Sequence, residues 1–135
     1  MTTKLVIQSN AIVADKPNAN GRIYSRELIE DINEQIINDK KGVYVTVLAD
    51  DISPDLILTN IAGKVTFSEI DDQQNSLVIT AEILDTPKGK IINQLADSGI
   101  TFRLYPVGVG MIEEDGSITS YEFSHFNIEP YDQNK

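Results

Sequence analysis

Apolar and polar positions alternate with two different periods along this chain, and the periods assign most of its elements. Leu5 and Ile7, then Ala11, Ile12 and Val13, read as a strand pair or one bent strand over residues 4–14. Asp15 to Gly21 is dense in Pro, Asn and Gly and reads as a loop. Ser25 then stands as a helix cap. Leu28, Ile29, Ile32, Ile36 and Ile37 follow at helical spacing, with Glu27, Glu30, Asp31 and Glu34 mostly elsewhere, which predicts a helix over about 26–39. Acidic residues crowd its first turns and Lys40 and Lys41 follow its end, as the helix dipole favours.

Beyond Gly42 the period drops to two. Val43, Val45 and Val47 alternate with Tyr44, Thr46 and Leu48. A polar loop, Asp50 to Asp55, separates this strand from two more, expected at 56–61 and 64–69 and joined across Gly63 by a bulge. Asp71 to Asn75 is a hairpin turn, and Leu77, Ile79, Ala81 and Ile83 alternate after it. Thr86-Pro87 opens a second helix, with threonine as cap and proline at the first helical position. That helix turns Ile91, Ile92 and Leu95 inward and stops at Gly99. Strands at about 100–112 and 117–128 meet across Glu114-Asp115-Gly116, where Asp-Gly signals a hairpin. The predicted architecture is α+β, a mostly antiparallel β-barrel or curled sheet carrying two main helices. Residues 1–128 form one domain, and 129–135 a polar tail.

Composition narrows the chemistry. The chain has 135 residues, room for one core. It carries 11 Lys and Arg against 21 Asp and Glu, a formal charge of −10. That charge opposes nucleic-acid phosphates and anionic membrane surfaces and favours basic partners. No apolar run approaches about 18 residues, and no signal peptide is visible at the N-terminus. Cysteine is absent, which excludes disulfides, thiolate catalysis and zinc–thiolate sites.

The one histidine, His125, is the single imidazole available as a base. Ser124, Ser120 and Glu122 lie close to it in sequence. Strand alternation points Ser124 and His125 to opposite faces, so a hydrogen-bonded strand histidine is expected rather than a catalytic one. The acidic stretches Asp50-Asp51 with Asp55, and Glu113-Glu114-Asp115, do not match the ligand spacing of a calcium loop. Gly108-Val109-Gly110 lies within a strand with no helix after it, and is not a phosphate loop. Asn18-Ala19-Asn20-Gly21 is a turn and not an anion cradle. No cofactor or metal is expected.

Three segments resemble one family in order and spacing. They are Asn18 to Leu28, Asn60-Ile61-Ala62-Gly63-Lys64-Val65, and Ile83 to Lys90 followed by a helix, Gly99 and the strand ending Val107-Gly108-Val109-Gly110. Together, over about residues 18–128, they are similar to the prohead (capsid maturation) proteases of tailed bacteriophages, which share the herpesvirus-assemblin fold. The resemblance implies a serine nucleophile and a histidine. The family's histidine lies in a loop before the Asn-Ile segment, which here offers Asp50 or Asp51. Its serine lies just before the paired glycines, where Tyr105, Pro106 and Val107 stand. No serine occurs between Ser98 and Ser117, and Arg103 stands near the family's arginine at another register.

The resemblance therefore implies a non-cleaving relative of the protease. Arg103, Tyr105 and Val107 mark an expected binding groove in place of an active site. The expected role is a capsid-associated structural, assembly or decoration protein that binds phage capsid or another phage protein, in the virion head or host cytoplasm. Two other readings stay open. One is an intracellular protein that blocks a basic host or defence factor; the other is a hydrolase with a relocated site around His125. A strand edge near 100–110, or the aromatic-rich last strand, offers a contact for a homo-oligomer.

Overall fold

The computed structural model describes residues 5–18, 21–40, 42–47 and 54–130. One six-stranded sheet organises them. Its strands are β1 (Val6–Val13), β2 (Tyr44–Thr46), β3 (Ile61–Asp71), β4 (Ser76–Ile83), β5 (Phe102–Ile112) and β6 (Ile118–Pro130), in the order β1-β4-β3-β2-β6-β5. β2 runs parallel to β6, and every other neighbouring pair is antiparallel. The sheet curls so that its two edges, β1 and β5, approach each other in a half-barrel. This is the curled α+β sheet that the hydrophobic pattern predicts.

Helix α1 (Arg26–Ile37) packs on β6, β3 and β4. Its Ser25 cap accepts a hydrogen bond from the Leu28 N–H at 3.1 Å, satisfying one of the donors a helix start leaves open. Leu28, Ile29, Ile32 and Ile36 are buried, whereas Ile37 is 63% exposed, one step beyond the buried stripe. A short helix, α2 (Pro54–Thr59), occupies most of the stretch expected as a strand at 56–61, and β3 then runs unbroken to Asp71. The bulge expected at Gly63 is one residue away. Val45 pairs with Gly63 and Thr46 with Ile61, so Ala62 is the extra residue.

Helix α3 (Pro87–Asp97) starts as its sequence specifies. Thr86 Oγ1 accepts from the Gly89 N–H at 3.0 Å and donates to the Ile61 carbonyl at 2.5 Å. Gly89 is where the helix touches the sheet. A Cβ there would stand 1.9 Å from the Leu84 carbonyl oxygen and 2.9 Å from that of Ala62, so only glycine permits this approach. Ile92 is buried and Leu95 half-buried, but Ile91 faces solvent rather than the core. The core itself joins α1 to the sheet through Ile29, Ile32, Val45, Leu77, Ile79, Leu104 and Phe126, each almost wholly buried. β6 continues to Pro130, so Glu129 and Pro130 belong to the sheet rather than to a tail.

Candidate functional site

The site is built where the half-barrel fails to close. At one point the edges join: the Leu104 N–H donates to Ser9 Oγ at 3.2 Å. One residue later β1 carries a bulge, since Asn10 pairs with Val78 and Ile12 with Leu77, leaving Ala11 unpaired. A bulge bends and twists its strand, and beyond this one a groove of about 1160 Å³ opens between β1 and β5. At the far end the β5–β6 hairpin docks on the loop before α1. The Ile23 N–H donates to the Gly116 carbonyl and the Ile118 N–H to the Ile23 carbonyl, both at 2.9 Å. Gly21 (φ +76°) makes the tight turn of that loop, and Asn18 Oδ1 accepts from the Arg22 N–H at 2.9 Å.

The three residues expected in a groove, Arg103, Tyr105 and Val107, all line this one, as does Pro106. Arg103 is tied to Glu129 at 2.6 Å. Tyr105, half-buried, ends a hydrogen-bonded row across three strands. Thr46 on β2 pairs with Asn127 on β6, which pairs with Tyr105 on β5. Asn127 Nδ2 donates to Tyr105 Oη at 3.0 Å, and the Thr46 hydroxyl donates to Asn127 Oδ1. Thr46 and Asn127 have no solvent exposure, so their polar atoms need these bonds. The tyrosine thus places its hydroxyl in a structural chain, with no imidazole in the links described.

Pro106 sits on the groove side of the edge. Alternate residues of a strand direct their N–H groups to opposite edges. The Leu104 N–H points to β1 and the Glu113 N–H to the Ser117 carbonyl on the hairpin. Even-numbered positions of β5 therefore face the groove, and proline removes one donor there. Gly108 and Gly110 make room for a ring. A Cβ on Gly108 would lie 2.8 Å from the Tyr121 ring, and one on Gly110 3.0 Å from it. Tyr121 meets Tyr24 edge-on, with centroids 5.7 Å apart. Burial raises both phenol pKa values above the ordinary 10.0. For Tyr121, Tyr24 adds to the rise; for Tyr24, the bond to Tyr121 and the charge of Arg22 partly oppose it. Neither phenol is an acid near neutral pH.

His125 is 1% exposed and does not line the groove. Alternation had set Ser124 and His125 on opposite faces, yet Ser124 Oγ lies 2.8 Å from His125 Nδ1. The reason is a bulge in β6. Val107 pairs with His125 and Gly108 with Phe123, so Ser124 is an extra residue and the period of two breaks there. Ser120 and Glu122 stand exposed opposite Met111 and Val109.

Asp50 and Asp51 fall outside the described residues, as does the side chain of Asp55. Glu113 to Asp115 form the hairpin turn. Asp115 Oδ1 accepts from the Ser117 N–H at 2.9 Å, which holds its carboxyl below the usual carboxylate range. Among the described residues no group of three or more His, Asp or Glu is placed to hold a metal, and no helix is long and apolar enough to cross a membrane. Sequence reasoning missed Thr46, Asn127 and Ser9. Asn127 left one trace, a polar residue between the apolar Phe126 and Ile128, but its burial is fixed by strands distant in sequence.

No family model matches the chain, and no curated protein matches it in sequence. Its fold does match among solved structures, where it is similar to that of a phage capsid assembly protease. One such structure is "Structure of the bacteriophage T4 capsid assembly protease, gp21", with a TM-score of 0.62 and 15% sequence identity over 93% of this chain and 81% of that one. At that identity the likeness shows the fold alone, the prohead-protease-like fold expected from the three sequence segments.

Proposed function

We propose that this chain is a phage head-assembly protein built on a capsid-protease fold, and that it acts by binding another protein without cutting it. One observation carries the reading. At the place in β5 where the resembling enzymes have their serine stand Tyr105 and Pro106, and the tyrosine hydroxyl is held by Asn127 on the wall of an open groove. A half-buried phenol whose oxygen already accepts a hydrogen bond from Asn127 is a poor nucleophile. Such a groove can still take an extended segment of a partner along its strand edge.

The test is incubation of the chain with phage capsid and scaffold proteins, followed by intact-mass analysis. The reading expects stable complexes and uncut partners. Cleavage abolished by one point substitution would overturn it.

One observation favours a second reading. Ser124 and His125 are in hydrogen-bond contact, as a relocated hydrolase would need. The burial of His125 away from the groove weighs against it. Hydrolysis of an activated ester that disappears in His125→Ala, with the fold retained by circular dichroism, would support this alternative.

A further inference from the structure

We infer that the outward face of β3 and β4, centred on Phe67 and Glu69, is a docking surface for a protein partner that presents an arginine, its guanidinium laid on the Phe67 ring and forked onto the Glu69 carboxylate. This face lies on the side of the sheet away from α1, and neither Phe67 nor Glu69 lines the groove. It is a second surface, and it stands whatever the groove holds.

A bulge puts the phenylalanine there. Val65 pairs with Ala81 and Phe67 with Thr80, so Thr66 is an extra residue in β3. Without it, alternation would turn Phe67 to the same face as Val65, which packs on the core. With it, Ser68 and Ile70 turn inward instead. Ser68 Oγ donates to Asn33 Oδ1 of α1 at 2.5 Å, and Ile70 packs on the core. Phe67 and Glu69 therefore face outward, and the phenylalanine is 55% exposed. Phe67 shares a row with Thr80 and Gln8, and Glu69 shares the next with Val78 and Asn10. Gln8, Asn10 and Glu69 are exposed, and Val78 is buried among them. A lone exposed apolar side chain needs no explanation. Here a break in strand register re-aims one, and sets it beside a carboxylate.

Charge identifies the occupant. In the row on the other side of Phe67, Lys64 stands directly opposite Glu82, so those two charges offset each other. Asp71 Oδ1 accepts from the N–H groups of Gln73 and Gln74 and serves the turn. The Glu69 side chain makes no hydrogen bond or ion pair among the described residues. It is an open carboxylate on a chain of formal charge −10, and a cationic partner complements it. Phe67 and Glu69 are two residues apart on one face, about 7 Å along the strand. A cation held by the ring sits within about 6 Å of its centroid. A planar guanidinium there still reaches the carboxylate with its N–H fork, whereas an ammonium has no flat face to lay on the ring. A second copy, itself at −10, meets general repulsion. Three strands and four rows span only about 10 by 20 Å, so the contact is a weak, reversible one.

The experiment uses the full chain and three capped hexapeptides in which glycine alternates with arginine, lysine or threonine. NMR titration of the amide and aromatic signals reads affinity and site together. The arginine peptide is expected to bind most tightly, to shift the Phe67 ring and the Glu69 amide most, and to weaken with added salt. Phe67→Ala alters an exposed side chain. It is expected to weaken the arginine peptide about threefold and the lysine peptide by less than about twofold. Glu69→Gln is expected to weaken the arginine peptide by a similar factor, about threefold, and both variants to keep the parent's circular dichroism. Shifts spread over other acidic residues with the Phe67 ring unmoved would overturn the docking surface. So would equal losses for arginine and lysine peptides in Phe67→Ala, a threonine peptide that binds as well as the arginine one, or no binding. A dimer in sedimentation that Phe67→Ala abolishes would assign the face to a second copy and overturn the arginine partner.

Discussion

Tyr105→Phe and Asn127→Ala, made singly and together, test whether the residue at the former nucleophile position is structural. Tyr105→Phe removes one hydroxyl and the 3.0 Å bond it accepts from Asn127. A hydrogen bond of this kind contributes about 1 kcal/mol. Asn127→Ala removes that bond and the one from Thr46, and leaves a small hole at a site with no solvent exposure. Two bonds at about 1 kcal/mol each and a hole worth about 1 kcal/mol give about 3 kcal/mol. The Tyr105–Asn127 bond is lost in both single variants and counted once in the double, so the double should cost about 3 and not about 4 kcal/mol.

Equilibrium urea unfolding reads these values. A slope near 2 kcal/mol per molar converts the Tyr105→Phe loss into a midpoint shift of about 0.5 M. Strict additivity in the double variant, or a Tyr105→Phe midpoint equal to that of the parent, would refute the hydrogen-bonded row. It would leave the phenol free for other chemistry.

Three further outcomes follow from the same packing. Gly89→Ala forces a Cβ to within 1.9 Å of the Leu84 carbonyl oxygen, so calorimetry should show Tm lowered by about 10 °C, at the severe end of overpacking. Thr86→Ala removes both the cap on Gly89 and the bond to the Ile61 carbonyl, at about 2 kcal/mol by urea unfolding; a neutral result would mean α3 needs no cap. The buried Tyr24–Tyr121 pair sets an alkaline limit. Both folded pKa values lie above the ordinary 10.0, so their contribution is complete below pH 10 and falls as pH rises further, because the unfolded chain ionises first. The urea midpoint should therefore drop between about pH 10 and 11, and drop less in Tyr121→Phe.

The parts of this fold that the sequence discloses are those set by local periodicity and caps. Ser25 and Thr86-Pro87 start helices where they should, and the alternation through Leu77, Ile79, Ala81 and Ile83 places a strand buried in the core. Local rules failed where a long-range partner decides. Pro54 to Thr59 is too short for its period to separate helix from strand, so its branched apolar residues read as a strand. Ser124 looks like any strand residue until β5 is laid beside it, and the bulge then turns it toward His125. Glu129 reads as the start of a tail, but Arg103 and strand pairing hold it in the sheet. The groove shows the same division. Arg103, Tyr105 and Val107 were legible because a strand after α3 could be aligned to a known motif. Ser9 and Asn127 reach β5, and Thr46 reaches Asn127, only through the curl of the sheet.

The most direct test of a binding role in the head is a count of this chain in highly purified phage heads by quantitative mass spectrometry, beside the major capsid protein. Many intact copies per head, with capsid protein uncut by it, is the expected result. Absence of the chain from every head preparation, from procapsid to mature particle, would contradict a head-assembly role for this fold.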